Sequence, residues 1–331
     1  MEKVRIAQIG ISRYAHSKSI FESLTRQPEV FDIAGYVLVE DEERLFADML
    51  GVFDGYPRLT LEEVLNDPAI TAVTVETEEI HLTRYALLAV QHGKHVHMEK
   101  PGGTSAEEFD RLIDAVEEHK KVFHTGYMYR YNPYVADLLR QVKNGELGEI
   151  VSVDAQMDCY EPDALHRWLS GIRGGMMFYL GCHLIDLMLL LQGEPEKITC
   201  YNRSTGRNGV PCTDFAMAVF EYPHGVSCIR TAGSQVGGFG RRQLVVAGTK
   251  KTVEIKPLEQ YDDWKLYTQK TEYAVMHDWS DKGITDRTDY YDRYDEMMRS
   301  FARMVAGEAD NPYTPEHERA VHRLLMRCCE G

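Results

Sequence analysis

Two side chains able to handle protons stand where the pattern of this chain would present them. Lys100 sits in Glu99-Lys100-Pro101, after the alternating, β-prone run Lys94 to Met98 and before Gly102-Gly103. Proline pushes the preceding residue out of helical backbone and permits a cis bond. A lysine is thus left at the carboxyl end of a strand, the place where open α/β sheets take their ligands. By itself the tripeptide reads better as a surface turn, since Lys-Pro is common in loops. His183 follows a Gly174-Gly175 turn at the head of an apolar stretch. There it is either a hydrogen-bonded core residue or a base poised near neutral pH.

The elements that must position Lys100 alternate in type. Strands at 4–9, 31–39, 70–75, 94–98 and 122–126 are separated by helices at 15–26, 41–50, 59–65, 80–92 and 105–119. Gly93 reads as a helix cap, and Ser105 with Glu108 as a capping box. The β-branched run Ile70 to Val75 reads as a buried parallel strand. Strands alternating with such helices predict a doubly wound parallel sheet. After Tyr127 the character changes. A helix at 133–143 and a strand at 150–159 precede the apolar helix ending at Leu191, and strands follow at 198–203, 215–222, 226–232, 242–247 and 252–255. That spacing predicts a largely antiparallel sheet with one face covered by helices. Residues 261–294, dense in Tyr, Asp and Lys, read as a solvated loop, with a lid or subunit contact as alternatives, and helices near 292–306 and 315–328 close the chain.

A glycine turn between the first strand and first helix is the setting of a dinucleotide fingerprint. Here it reads Gly10-Ile-Ser-Arg-Tyr-Ala15, so the first Gly and last Ala fit G-x-G-x-x-G/A while Ser12 replaces the middle Gly. A Cβ there loosens the approach to pyrophosphate, although the hydroxyl and the helix N-terminus can still bind phosphate. Glu40 and Asp41 follow the second strand. Either is placed to meet the adenosine ribose hydroxyls, which favours NAD over NADP, and either equally begins an acidic helix.

The 331 residues suffice for two domains with real cores. A net charge of −15 disfavours nucleic acid and anionic membranes as partners. The longest apolar run, around 184–191, carries Asp186 and is too short to span a bilayer. The seven cysteines form no CxxC pair. With no secretory signal evident, they read as reduced thiols of a cytoplasmic protein.

Taken together, these residues resemble the Gfo/Idh/MocA family, named after glucose–fructose oxidoreductase, inositol dehydrogenase and a rhizopine-catabolism protein. The resemblance rests on the N-terminal glycine turn, Thr77 and His81, Gly93 to Pro101, Arg130-Tyr-Asn-Pro133, and Gly174 to Asp186 with its Gly-x-His-x-x-Asp ending. It implies an α/β chain with an N-terminal Rossmann domain (1–126) and a C-terminal α+β domain (127–331) whose large, mostly antiparallel open sheet joins subunits into a homodimer or homotetramer. The implied activity is oxidation or reduction of a secondary hydroxyl or ketone on a sugar, sugar derivative or cyclitol by a nicotinamide cofactor. By position it gives catalysis to Lys100 and His183, with Tyr179 standing where the family usually has aspartate. It gives the cofactor to Gly10, Ser12, Arg13, Tyr14, Glu40, Thr77, His81, Glu99 and Lys100. Substrate contacts fall to Tyr127, Arg130, Asp163, His166, Trp168 and Arg173. No metal is expected, although Asp158, His166 and His183 are types that could hold one. Ser12 and Tyr179 leave two alternatives open: a redox-neutral, sugar-modifying or glycoside-cleaving enzyme that retains its NAD, and a nucleotide or sugar sensor without catalysis.

Overall fold

A computed structural model describes residues 2–331 except Met276, His277 and Asp281. Contacts group the chain into two units, residues 1–128 with 294–323 and residues 129–293 with 324–331. The chain leaves the first unit after Met128 and returns to it from Tyr294 to Arg323. Polar bonds show why the returning segment belongs there: Asp295 accepts hydrogen bonds from Ser23 (2.7 Å) and Arg26 (2.6 Å).

The first unit is built on a five-stranded, all-parallel sheet of β1 (Val4–Ile9), β2 (Phe31–Val37), β3 (Ala72–Val75), β4 (His95–Met98) and β5 (Phe123–Thr125), in the order β2-β1-β3-β4-β5. Its connections are α1 (Ser17–Arg26), α2 (Glu42–Leu45), α3 (Leu61–Asn66), α4 (Leu82–Gln91) and α5 (Ala106–His119). A capping box on Thr60 and Glu63 starts α3, while Ser105 caps α5 by accepting from the Glu108 N–H. Alternate residues of each strand serve opposite faces. Ile9, Val75, Val96, Met98 and Phe123 join α4 and α5 in one core. The other face carries a buried polar row, for register aligns Gln8, Thr74, His97 and His124 across β1, β3, β4 and β5. The expected acidic helix at 41–50 is only the short α2, followed by 3₁₀ turns over Ala47–Phe53. Phe46 and Phe53 there pack with Phe21 and Ile11, and this apolar anchoring sets the backbone in place of helical periodicity.

The second unit carries α6 (Pro133–Lys143), β6 (Ile150–Asp158), α7 (Asp163–Leu169), α8 (Cys182–Gln192), β7 (Lys197–Arg203), β8 (Phe215–Tyr222), β9 (Gly225–Ala232), β10 (Gln243–Gly248), β11 (Lys251–Ile255), β12 (Gln260–Asp262), β13 (Lys265–Tyr267), β14 (Gln269–Ala274) and β15 (Ile284–Arg287). The chain closes with α9 (Asp295–Val305) in the first unit and α10 (Pro315–Glu330). Eight strands form one sheet in the order β15-β14-β11-β10-β6-β9-β8-β7, antiparallel at every pair except β6 with β9. One row across it (Ala218, Ile229, Ala155, Leu244, Ile255) is buried, and the next (Val219, Cys228, Asp154, Val245, Glu254) is part-exposed to exposed. The solvated loop expected at 261–294 is corrected: β14 and β15 extend the sheet there and β12 pairs with β13, while three of its residues lie outside the described ones. β15 is the exposed edge strand and β14 beside it is at most part-buried, so no buried apolar alternation announces them.

Candidate active site

In the first unit the nucleotide loop is built around Gly10. Its φ of +88° suits glycine, and a Cβ there would lie 2.7 Å from the Cβ of Thr77. The two predicted cofactor residues therefore pack on one another. Ser12 is buried, and its hydroxyl accepts from the Tyr14 N–H (3.1 Å) while its own N–H donates to Ser17 Oγ (3.1 Å). The His16 N–H donates to Glu99 Oε2 at 3.0 Å. Side chains thus fill the amides of residues 12, 14 and 16, a self-capping absent from the glycine pattern that Ser12 interrupts. Arg13 pairs with Asp48 at 2.6 Å on the surface.

Glu40 has a left-handed backbone (φ 48°). Its Oε1 accepts from Tyr85 (2.7 Å) and Arg84 (3.1 Å), with His81 Nδ1 at 3.9 Å. The Tyr85 hydrogen bond and the nearby cations hold this carboxyl below its usual range. Glu42, an inconspicuous member of an acidic run, is instead buried. Burial pushes its carboxyl up to about 7 against the pull of Thr77 and the Val39 and Ile11 N–H groups.

Lys100 follows β4 through a cis bond to Pro101 and is 1% exposed. Glu99 lies beside it, with Oε1 3.8 Å from Lys100 Nζ and 3.1 Å from the Lys100 N–H. Burial pushes the Glu99 carboxyl up, but the His16 imidazole at 3.0 Å and the Lys100 charge hold it down at about 2. Sequence reasoning missed two further carboxyls here, Glu76 and Glu79, both fully buried. Burial raises Glu79 to about 8 although Lys100 opposes it, and burial with the neighbouring Glu99 charge raises Glu76 well above its ordinary value. The signal was present: three acids, Glu76, Glu78 and Glu79, stand at the exit of the apolar strand β3, a place where charge is costly.

In the second unit Tyr179 and His183 follow the Gly174-Gly175 turn. Residues Met177–Gly181 form a π-helical turn leading into α8, a feature frequent at functional sites. His183 is buried and meets the ring of Tyr129 edge to face, with centroids 5.0 Å apart. Tyr129 donates to Glu259 and accepts from Arg242 (3.1 Å), while Glu259 also binds Arg242 (2.7 Å) and Arg293 (2.6 Å). Burial alone would raise Glu259, yet the two arginines keep its carboxyl below the usual range. This platform under His183 draws on residues far apart in sequence and without motif. Trp168 meets Tyr179 edge to face at 6.0 Å, making an aromatic pair.

Other expected substrate residues are engaged elsewhere. Arg130 is buried and bonds Asp186 through two nitrogens (2.6 and 2.9 Å), which ties the turn before α6 to α8. His166 bonds the Gly233 carbonyl (3.1 Å). Asp163 accepts from Arg207 and Asn208. Arg173 lies 3.6 Å from Glu330 near the C-terminus. In the first unit Tyr127 is 1% exposed. Asp158 pairs with Arg230 at 2.6 Å, and among the described residues no group of three or more His, Cys, Asp or Glu is placed to hold a metal ion.

A doubly wound parallel sheet with a glycine turn between β1 and α1 is the architecture of a dinucleotide-binding domain. The chain belongs to the Gfo/Idh/MocA oxidoreductases: residues 4–127 match the oxidoreductase family with NAD-binding Rossmann fold, and residues 135–254 match the Gfo/Idh/MocA C-terminal domain. It is similar to the scyllo-inositol 2-dehydrogenase (NADP+) IolW of Bacillus subtilis, 29% identical over 248 residues, which cover 73% of this chain and 67% of that protein. It is also similar to the D-xylose 1-dehydrogenase (NADP+) 2 of Haloferax volcanii, 26% identical over 304 residues, 90% of this chain and 88% of that one. The aldose–aldose oxidoreductase of Caulobacter crescentus, solved with glycerol, shares the fold with a TM-score of 0.79 at 16% identity, covering 99% of this chain and 98% of the other.

Proposed function

We propose that this chain interconverts a secondary hydroxyl and ketone on a sugar, sugar derivative or cyclitol, and that it uses NAD in preference to NADP. The observation that carries the reading is Lys100, an ammonium buried at the carboxyl end of β4 beside a carboxylate held ionised. The residues fit a dinucleotide. Gly10, where any Cβ would collide with Thr77, makes the tight turn between β1 and α1, and Glu40 presents a carboxylate beyond the end of β2. Glu40 accepts the ribose hydroxyls and repels a 2′-phosphate, which supports NAD even though the two relatives above are named as NADP+ enzymes.

The nicotinamide, when bound, supplies the hydride chemistry. The Lys100 ammonium stabilises the developing alkoxide, and His183 Nδ1 or Nε2 takes or returns the hydroxyl proton. Tyr179 donates a hydrogen bond to substrate in place of the family's aspartate, and with Trp168 offers an aromatic pair to a sugar face. The part-exposed face of the large sheet is the expected contact in a homodimer or homotetramer, and seven cysteines outside any disulfide suit a reducing cytoplasm. Calorimetry with NAD and with NADP, followed by absorbance assays on scyllo-inositol and D-xylose, tests the reading. Tighter binding of NAD and turnover lost in Lys100→Met and His183→Ala are expected. Absence of binding to either nucleotide would overturn it.

A further inference from the structure

The buried polar row of the first unit leads directly to Lys100. Gln8 donates to the Gly10 and Ser17 carbonyls of the nucleotide loop (3.1 and 3.2 Å), and Thr74 reaches Gln8 at 3.4 Å. His97 and His124 face each other through their Nδ1 atoms at 2.8 Å, and Phe301 of α9 stacks on His124. One step further along the same strands, main-chain bonds align the next residues: Glu76 N to Ile9 O (2.8 Å), Glu99 N to Val75 O (3.0 Å) and Gly126 N to Met98 O (2.8 Å). Glu76 and Glu99 are therefore neighbours on one face of adjacent strands.

The groups facing Glu76 come from two segments. They are Glu79 from the turn after β3, and His97, Glu99 and Lys100 from β4 and its exit, while His16 from the nucleotide loop faces Glu99. His97 Nε2 stands 3.6 Å from Glu76 Oε1, too far for a hydrogen bond, and no protein donor among the described residues reaches either oxygen of Glu76 or of Glu79. Three buried carboxyls thus face the single lysine ammonium, and Glu99 is the one that His16 and Lys100 both hold. Two more full negative charges cannot persist there without water or cations. A neutral acid, by contrast, supplies an O–H donor to a neighbouring carboxylate.

We propose that Glu76 is a positioning residue, a neutral carboxylic acid that shares one proton with Glu99 and so keeps the Glu99–Lys100 pair at a single negative and a single positive charge. Its importance for catalysis rests on the role given above to Lys100, whereas the proton itself does not depend on that role. Burial lowers His97 to about 4, so the imidazole beside Glu76 is neutral at pH 7 and adds no competing cation.

The experiment compares wild type and Glu76→Gln by infrared difference spectroscopy in D2O and by thermal melting between pH 5 and 8. Wild type should show a protonated-carboxyl stretch at pH 7, part of which Glu76→Gln removes. An acid with a raised folded-state pKa costs stability progressively above its unfolded pKa. The glutamine variant should therefore melt close to wild type at pH 5 and above it at pH 8, by about 2–4 °C for each kcal/mol relieved. An unchanged band, a melting difference independent of pH, or failure of the variant to fold would overturn the proposal, because glutamine reproduces the neutral shape it requires. Titration with NADH, followed by fluorescence, separates the two readings. Wild type that shows the band but binds no NADH sinks the proposed function and leaves the shared proton standing.

Discussion

Around His183, buried charge is matched. Glu259 lies between Arg242 and Arg293, and Asp186 takes both hydrogen-bonding edges of Arg130. Around Lys100 the carboxyls outnumber the lysine, with Glu76, Glu79 and Glu99 all buried beside it. The contrast separates two uses of burial. Matched pairs fix a geometry and resist change in pH, since each charge is worth most when its partner stays ionised. Surplus carboxyls move their proton affinities toward neutrality, the range in which proton chemistry operates. In this chain the second unit sets His183 on a platform of matched charge, and the first surrounds Lys100 with groups whose protons can shift.

The largest effects should fall on turnover. His183→Ala should lower kcat by about 10²–10⁴-fold, and Lys100→Met by about 10²–10³-fold, with NADH binding retained in the His183 variant. Steady-state kinetics with scyllo-inositol or D-xylose reads both. A His183→Ala enzyme with undiminished kcat would remove the reason for treating the platform as catalytic support.

Next comes a direct contrast in stability. Glu259→Gln strips a buried charge from between the buried Arg242 and the part-buried Arg293 and should cost about 3–5 kcal/mol, as breaking a buried pair does. Glu79→Gln removes a charge with no donor to hold it. Because the folded carboxyl rises from 4.5 to about 8, wild type loses stability as pH climbs through that window, and the glutamine variant should recover it. Glu99 has the opposite sign. It adds stability above its unfolded pKa, and that contribution disappears as pH falls toward about 2. Urea unfolding at pH 5 and pH 8 measures the first two, and its change between pH 5 and about pH 2 measures Glu99. If Glu259→Gln and Glu79→Gln shift the midpoint in the same direction at pH 8, the distinction between matched and surplus charge collapses.

Much of the first unit was legible because its signals are local. Val4–Ile9 alternates with a helix and ends at Gly10, and Pro101 marks the strand end that presents Lys100. Phe215–Tyr222 was equally plain, since every second residue from Ala216 to Phe220 is buried. What escaped was set by distance in the chain or by exposure. The acids at Glu76 and Glu79 are visible in sequence, but their confinement with Glu99 depends on the parallel register of β3 and β4. Tyr129, Arg242, Glu259 and Arg293 meet only through tertiary packing. Arg130 carried the type and motif of a substrate ligand, yet Asp186 absorbs its guanidinium. The helix α7 was missed between two better-marked segments, because seven residues give periodicity little to work on.

The smallest expected effect concerns Glu40, which belongs to neither extreme. It is paired, with Tyr85 and Arg84 on Oε1, but its side chain is 34% exposed, so solvent weakens its field. Glu40→Gln keeps an acceptor for the ribose hydroxyls and for Tyr85 while removing the charge that repels a 2′-phosphate. It also releases Arg84 from its ion pair, leaving a guanidinium at the end of β2 where a phosphate would lie. NADP affinity should rise by about tenfold, equivalent to about 1.4 kcal/mol, with a smaller loss for NAD. Calorimetric titration of both nucleotides at low and moderate salt gives the ratio, and the shift should shrink as salt screens the phosphate. An unchanged ratio would show that the Glu40 charge does not select the cofactor, and Arg13, expected at the cofactor and now paired with Asp48, would be the next residue to test.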